Sequence, residues 1–225
     1  MVQSSEGSRE GFSTRREQPV QVEQLPSIKS SEDPLVSFPK ETLAEIEMEG
    51  MLEVEHEKLF ARLAAIGIDI QKIRTVLIFG PGMVETQAIC HALEKQGILP
   101  GALSVIVVDG DPRVIGYIES KKLPESVTTY SQTFAEFLVS PSPTLSVDVV
   151  YITNTGPVTC DPNIGFSPHN TAGIGDLVKQ GGLIVTRGEV HELPMYLDDT
   201  PTLRHILDLP SSFSHGFHCW KKNEE

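Results

Sequence analysis

The sequence predicts an α/β protein built on a single doubly wound, mainly parallel sheet, with an antiparallel last strand and an N-terminal helix ahead of it. After residue 70, apolar runs rich in β-branched residues alternate with segments of helical spacing. Most of these runs end in a cluster of Gly, Asp, Thr or Asn. Strands that alternate with helices require right-handed crossovers, which place helices on both faces of the sheet.

The first 70 residues divide into two segments. Residues 1–38 are rich in Ser, Glu, Gln and Pro and show no periodicity, which predicts a disordered tail. Residues 39–70 are predicted to form an acidic helical segment, because apolar residues recur there at threes and fours. Its other face is rich in glutamate, which is typical of a solvated helix. Binding of a basic protein partner to this face is the alternative.

Residues 71–225 are predicted to form one domain that contains the sheet. Its buried strands are continuous apolar runs, and its helices begin after turn residues. The predicted strands are 75–79, 103–108, 126–130, 147–153, 182–186 and 214–221, and the predicted helices are 84–96, one starting at 112, 134–139, 174–179 and 202–209.

Composition excludes several classes of protein. The chain of 225 residues has 18 Lys and Arg against 31 Asp and Glu, a formal net charge of −13. Such a charge argues against a nucleic-acid binder and against docking on an anionic membrane. Apolar runs are too short for a membrane-spanning helix, and three cysteines are too few for a disulfide framework. We therefore expect a cytoplasmic protein.

Polar residues that follow the strands are expected to meet at one edge of the sheet, where ligands bind in such folds. Gly80-Pro81-Gly82 follows the first strand, and glycines there allow close approach of the backbone to a ligand. Asp109 ends the second strand, where a carboxylate can accept both hydroxyls of a ribose. The alternative is that Asp109 only shapes the turn with Gly110, although Asp111 suits the helix cap better.

Two weaker candidates for catalysis follow the fourth strand. Asn154 is placed to orient a substrate through its amide, or else simply forms a turn. The loop 155–170 is long enough to be a lid, and it carries His169, a residue type whose unperturbed pKa suits a general base. A lone loop histidine is more often solvated.

A metal site is not expected from the cluster His215-x-x-His218-Cys219. In a strand, alternate side chains point to opposite faces, so His218 would point with Trp220 and away from His215 and Cys219. Ligands on opposite faces cannot meet at one ion.

Four segments together resemble the successive motifs of class I S-adenosylmethionine-dependent methyltransferases, a Rossmann-like family. They are Val76-Leu77-Ile78-Phe79-Gly80-Pro81-Gly82, Val107-Val108-Asp109-Gly110-Asp111-Pro112, Asp148-Val149-Val150-Tyr151-Ile152 and Gly181-Gly182-Leu183-Ile184-Val185. The resemblance covers about residues 70–222. It implies S-adenosyl-L-methionine as cofactor and methyl transfer, and we expect a small-molecule substrate because nothing basic suggests nucleic acid.

The resemblance also assigns roles to residues at the predicted edge. The glycine turn, Phe79 to Gly82, would hold the amino-acid part of the cofactor, and Asp109 with Gly110 the ribose. Gln132, in the loop after the third strand, would border the adenine, and Asn154 would face the methyl group. Phe79 and Tyr151 are aromatic neighbours of the kind that a sulfonium cation favours.

The sequence departs from the family pattern at two positions of the first motif. Ile78 stands where the family usually has an acid, and Val84 where a third glycine is common. These departures keep open a noncatalytic scaffold that retains the fold. A nicotinamide-dependent oxidoreductase, which would share the glycine turn and Asp109, ranks last because it also needs a third glycine.

Overall fold

A computed structural model describes residues 49–121, 123, 126–139, 145–153, 168–188, 193–211 and 216–224. The predicted tail 1–38 and the first part of the acidic segment lie outside these residues. The helices are α1 Glu49–Ala65, α2 Glu85–Lys95, α3 Pro112–Ser120, α4 Phe134–Val139, α5 Pro168–Leu177 and α6 Leu193–Asp198, with a 3₁₀ turn at Ile70–Lys72. The strands are β1 Thr75–Phe79, β2 Ser104–Asp109, β3 Ser126–Ser131, β4 Val147–Thr153, β5 Val178–Arg187, β6 Leu203–Leu209 and β7 Phe217–Lys222.

The strands form one sheet in the order β3-β2-β1-β4-β5-β7-β6. The first five pair in parallel, and β7 pairs antiparallel with both β5 and β6. One face of the sheet packs under α1, α2 and α3, and the other under α4, α5 and α6. The predicted doubly wound, mainly parallel sheet with an antiparallel last strand is thus confirmed.

The predicted helix 202–209 is wrong, because this segment is the edge strand β6. Its apolar residues Leu203, Ile206, Leu207 and Leu209 have helical spacing. That spacing arises from a register shift between His205 and Leu207, a β-bulge that interrupts the alternation of a strand.

The helix–strand boundary before β5 also differs from the prediction. The helix ends at Leu177 and the strand begins at Val178, four residues before the predicted start. The pairing of β5 with β4 is irregular between Val147 and Val149. Residues 179–182 lie in this irregular part and are not apolar, so the apolar pattern alone places the start of the strand too late.

The acidic helix α1 packs against α2, and several of its described glutamates are engaged within the chain. Lys95 of α2 contacts Glu53 at 2.6 Å and Glu57 at 2.5 Å. Glu55 is buried and accepts a hydrogen bond from Lys58. This part of the acidic face is therefore not the freely solvated surface that was expected. Among the described helices, none is both long and apolar enough to cross a membrane.

Candidate functional site

The turn after β1 lies beside the ends of β2 and β4. Gly80 and Gly82 have φ angles of 61° and 59°, a left-handed conformation that favours glycine. The Gly80 amide donates to the carbonyl of Val108 at 3.0 Å, and the Thr153 hydroxyl donates to the carbonyl of Gly80 at 2.9 Å. The turn is thus held from both sides and leads directly into the N-terminus of α2.

Asp109 ends β2 at the same edge of the sheet. One carboxylate oxygen, Oδ1, accepts a hydrogen bond from the amide of Asp111 at 2.8 Å. The other oxygen has no hydrogen-bond partner in the described part of the chain. Burial raises the pKa of Asp109 to about 6, although the Asp111 amide opposes the shift. An incompletely compensated carboxylate of this kind suits a ligand that brings hydroxyl donors.

The neighbouring residues Asp111 and Gln132 have separable roles. The Asp111 side chain accepts a hydrogen bond from the amide of Arg113 and caps α3, as predicted from the sequence. The backbone amide of Gln132 donates to the backbone carbonyl of Asp109 at 3.1 Å, so Gln132 lies next to Asp109. The Gln132 residue is partly exposed. Asp109 is therefore not needed as a cap, and Gln132 borders the same edge.

Phe79 and Pro81 are both buried, so neither side chain is exposed to a ligand. The Phe79 ring is 1% exposed and packs edge-on against Phe134, with ring centroids 4.6 Å apart. Gly110 adjoins Asp109 and lacks a left-handed φ. Of the catalytic candidates, Asn154 lies outside the described residues, and His169 lies in α5 but its side chain is not among those described.

A buried polar network, which the sequence analysis missed, lies just behind the glycine turn. Glu85, the first residue of α2, forms a two-point ion pair with Arg187 at the end of β5. His56 of α1 contacts Glu85 through Nε2 at 3.0 Å and the hydroxyl of Tyr151 on β4 through Nδ1 at 2.8 Å. None of the four side chains is more than 9% exposed. The network ties four elements together without reaching solvent.

The charges of this network follow from its contacts. Burial raises the pKa of Glu85, but the hydrogen bond from His56 and the charge of Arg187 outweigh burial and hold that pKa below its usual value. Glu85 is thus ionised and only accepts, so His56 donates to it through Nε2. Burial and the charge of Glu85 raise the pKa of Tyr151 well above its usual value, so Tyr151 keeps its proton. Tyr151 is therefore a buried positioning residue and does not form part of a ligand surface.

Solved methyltransferases share this architecture at low sequence identity. The N-methyltransferase NodS from Bradyrhizobium japonicum WM9 superposes with a TM-score of 0.57 and 12% identity, over 79% of this chain and 99% of the NodS chain. NodS in complex with S-adenosyl-L-homocysteine gives a TM-score of 0.54 and 13% identity, over 77% and 88% of the two chains. The plantazolicin methyltransferase BpumL in complex with S-adenosyl-L-homocysteine gives 0.56 and 11%, over 84% and 92%.

The chain has the fold of class I S-adenosylmethionine-dependent methyltransferases. No family model matches the sequence, and no curated protein matches it either.

The two residues that depart from the family's first motif, Ile78 and Val84, are both buried in the core. Ile78 is fully buried among the apolar residues beneath α1 and α2, so it offers no polar group to a ligand. Val84 is 1% exposed and packs in the same core. Both positions serve packing, and the described polar groups at this edge include the glycine turn, Thr153, Asp109 and Gln132.

Proposed function

We propose that the chain binds S-adenosyl-L-methionine at the edge formed by the ends of β1, β2 and β4, and transfers its methyl group to a small-molecule substrate. The observation that carries this proposal is Asp109, whose partly buried carboxylate has one oxygen without a hydrogen-bond partner among the described residues, beside the glycine turn. The methyltransferase fold supports the choice of cofactor.

The residues at this edge fit an adenosyl cofactor. Asp109 presents an acceptor to two adjacent ribose hydroxyls, and hydrogen bonds to a charged acceptor are strong. Gly80 and Gly82, whose φ angles are positive, carry no side chain, so a ligand can approach the backbone at these two residues. Gln132 has both an amide donor and an acceptor for the adenine edge. Gly110 and the backbones of Phe79 and Pro81 complete the proposed contact surface.

When bound, the cofactor supplies an electrophilic methyl group, and the work of the protein is to position the substrate and exclude water. Thr153 keeps the glycine turn in place through its hydrogen bond to Gly80. Asn154, which follows Thr153 directly, is proposed to orient the substrate. His169 is proposed to take a proton from the substrate nucleophile.

Calorimetric titration with S-adenosyl-L-homocysteine tests the binding claim. The wild type should bind one equivalent, and Asp109→Ala should weaken binding by roughly one to three powers of ten, because it removes charge-assisted hydrogen bonds. Asp109→Asn should lose less, since its amide oxygen still accepts. Asp199→Asn is the matched control, because it makes the same charge change at an exposed site at the end of α6.

Equal affinity in wild type and both Asp109 variants would show that Asp109 does not contact the ligand. Titration with NAD under the same conditions separates the oxidoreductase alternative. Tighter binding of NAD than of S-adenosyl-L-homocysteine would contradict the proposed function.

The second candidate is a noncatalytic scaffold that retains the fold, and Ile78 is the observation that favours it. A fully buried aliphatic side chain occupies the place where the family usually has an acid. This reading predicts no binding of S-adenosyl-L-homocysteine or S-adenosyl-L-methionine by the wild type. The same titration therefore decides between the two functions.

A further inference from the structure

Three potential metal ligands lie together on the β6–β7 hairpin. The Asp208 carboxylate oxygen Oδ1 lies 2.9 Å from His205 Nε2 and 2.7 Å from His218 Nδ1. The ligand atoms of all three side chains lie within 4.8 Å of one another. Sequence reasoning missed this cluster because it placed His205 and Asp208 on a helix.

The β-bulge in β6 brings these ligands to one face of the sheet. In a regular strand, residues three apart point to opposite faces. The register shift between His205 and Leu207 adds one residue, so His205 and Asp208 point to the same side. Asp208 lies directly opposite His218 in the register, which brings the third ligand to that side as well.

We propose that His205, Asp208 and His218 form a site for a late first-row divalent cation, with Zn²⁺ as the reference ion. Two imidazoles and one carboxylate are a donor set that such cations favour. Tetrahedral zinc with ligands at 2.0–2.1 Å separates its ligand atoms by roughly 3.3 Å. The two contacts to Asp208 would therefore open by about half an ångström, which exposed side chains can do. Solvent fills the remaining coordination position.

The surroundings hold the ligands in place and leave the site accessible. The side chains of His205, Asp208 and His218 are 37%, 61% and 33% exposed. Buried Trp220 packs beside both histidine rings, with centroids 5.4 Å and 6.3 Å away, and its Nε1 donates to Asp198 at 2.8 Å. Such packing fixes the ring orientations before a cation arrives.

The site lies near the edge of the sheet that ends in β6, and strands β4 and β5 separate it from β1. It is therefore distinct from the proposed cofactor site. Cation binding and cofactor binding can therefore fail independently of one another.

Titration of the untagged, chelator-treated full chain with Zn²⁺ and Co²⁺ tests the proposal. The wild type should bind one equivalent of Zn²⁺ by calorimetry, and Co²⁺ should give the visible absorption bands of a protein-bound ion. Losing one ligand in His205→Ala, His218→Ala or Asp208→Asn should weaken binding by more than about tenfold, since loss of a supporting partner alone costs that much. His91→Ala is the matched control, because it removes a partly exposed histidine that contacts one carboxylate, Glu53 at 3.6 Å.

Thermal unfolding gives a second readout. Zn²⁺ at about 100 times its dissociation constant should raise the melting temperature of the wild type by about 5–10 °C. The double variant His205→Ala/His218→Ala should show no such shift, while its melting without metal confirms that it folds. Equal Zn²⁺ affinity in the wild type and the double variant would overturn the proposal, as would a cation-induced shift lost in His91→Ala and retained in the double variant.

Discussion

Asp109→Asn should make the cofactor-free protein more stable at neutral pH while weakening cofactor binding. In the folded chain the partly buried carboxylate is ionised at pH 7, and no cationic side chain of the described residues pairs with it. The substitution keeps the size and the acceptor for the Asp111 amide, and it removes the charge. A gain in stability from losing a proposed binding group is the result expected when that group is held in place for a ligand.

The size of the effect follows from the pKa of Asp109. A folded pKa of about 6, against the ordinary value of 3.8, corresponds to at most about 3 kcal/mol of destabilisation at pH 7. Partial solvent contact screens the charge, so we expect about 1–2 kcal/mol. For a chain of this length that corresponds to a rise of about 3–6 °C in melting temperature.

The pH dependence has a definite sign. Because the folded pKa of Asp109 is raised, the carboxyl binds its proton more tightly in the folded chain, and its destabilisation disappears as pH falls from about 6 toward 3.8. The advantage of Asp109→Asn should therefore shrink by roughly half between pH 7 and pH 5. Urea unfolding followed by circular dichroism at both pH values, with Asp199→Asn as control, measures it. If Asp109→Asn is less stable than wild type at pH 7, or if it gains the same free energy of unfolding at both pH values, then the Asp109 charge does not destabilise the folded chain.

Three further predictions concern Asp109, Glu85 and Thr153. In calorimetric titrations, the affinity of the wild type for S-adenosyl-L-homocysteine should fall by up to about tenfold per pH unit below about pH 6, because Asp109 protonates there. Asp109→Asn should show no such pH dependence. Glu85→Gln should lower the free energy of unfolding in urea by about 3 kcal/mol, because it removes the charge that faces Arg187 in the core. As a comparison, Glu53→Gln removes a partly exposed ion pair with Lys95 and should cost less than about 1 kcal/mol. Thr153→Val should cost about 1 kcal/mol and weaken binding of S-adenosyl-L-homocysteine several-fold by releasing Gly80, and unchanged affinity would show that the turn needs no such support.

The central parallel strands β1 and β4 were predictable because each is a largely apolar run, as burial on both faces demands. The run Thr75–Phe79 and the run Val147–Thr153 begin and end where the sequence predicts. Asp109 and the glycine turn meet because the ends of parallel strands share one edge of a sheet. The domain boundaries at residues 38 and 70 stay predictions.

The rest of the molecule depends on contacts that local patterns do not contain. A single bulge between His205 and Leu207 gives β6 the apolar spacing of a helix, so the strand and its polar cluster were missed together. The network at Glu85 joins residues 29 and 102 positions away, His56 and Arg187. In the sequence, Glu85 at the start of a helix and Arg187 at the end of a strand look like ordinary surface residues. Their burial depends on the packing of α1 over the sheet, which the local pattern does not contain.

Hydrogen–deuterium exchange with and without S-adenosyl-L-homocysteine would locate the bound ligand on the chain. If the ligand binds at the ends of β1 and β2, exchange should slow at residues 79–85, 107–112 and 131–133, with no change along β6 and β7. Protection confined to other segments, or no protection at a ligand concentration that saturates binding, would contradict binding at this edge.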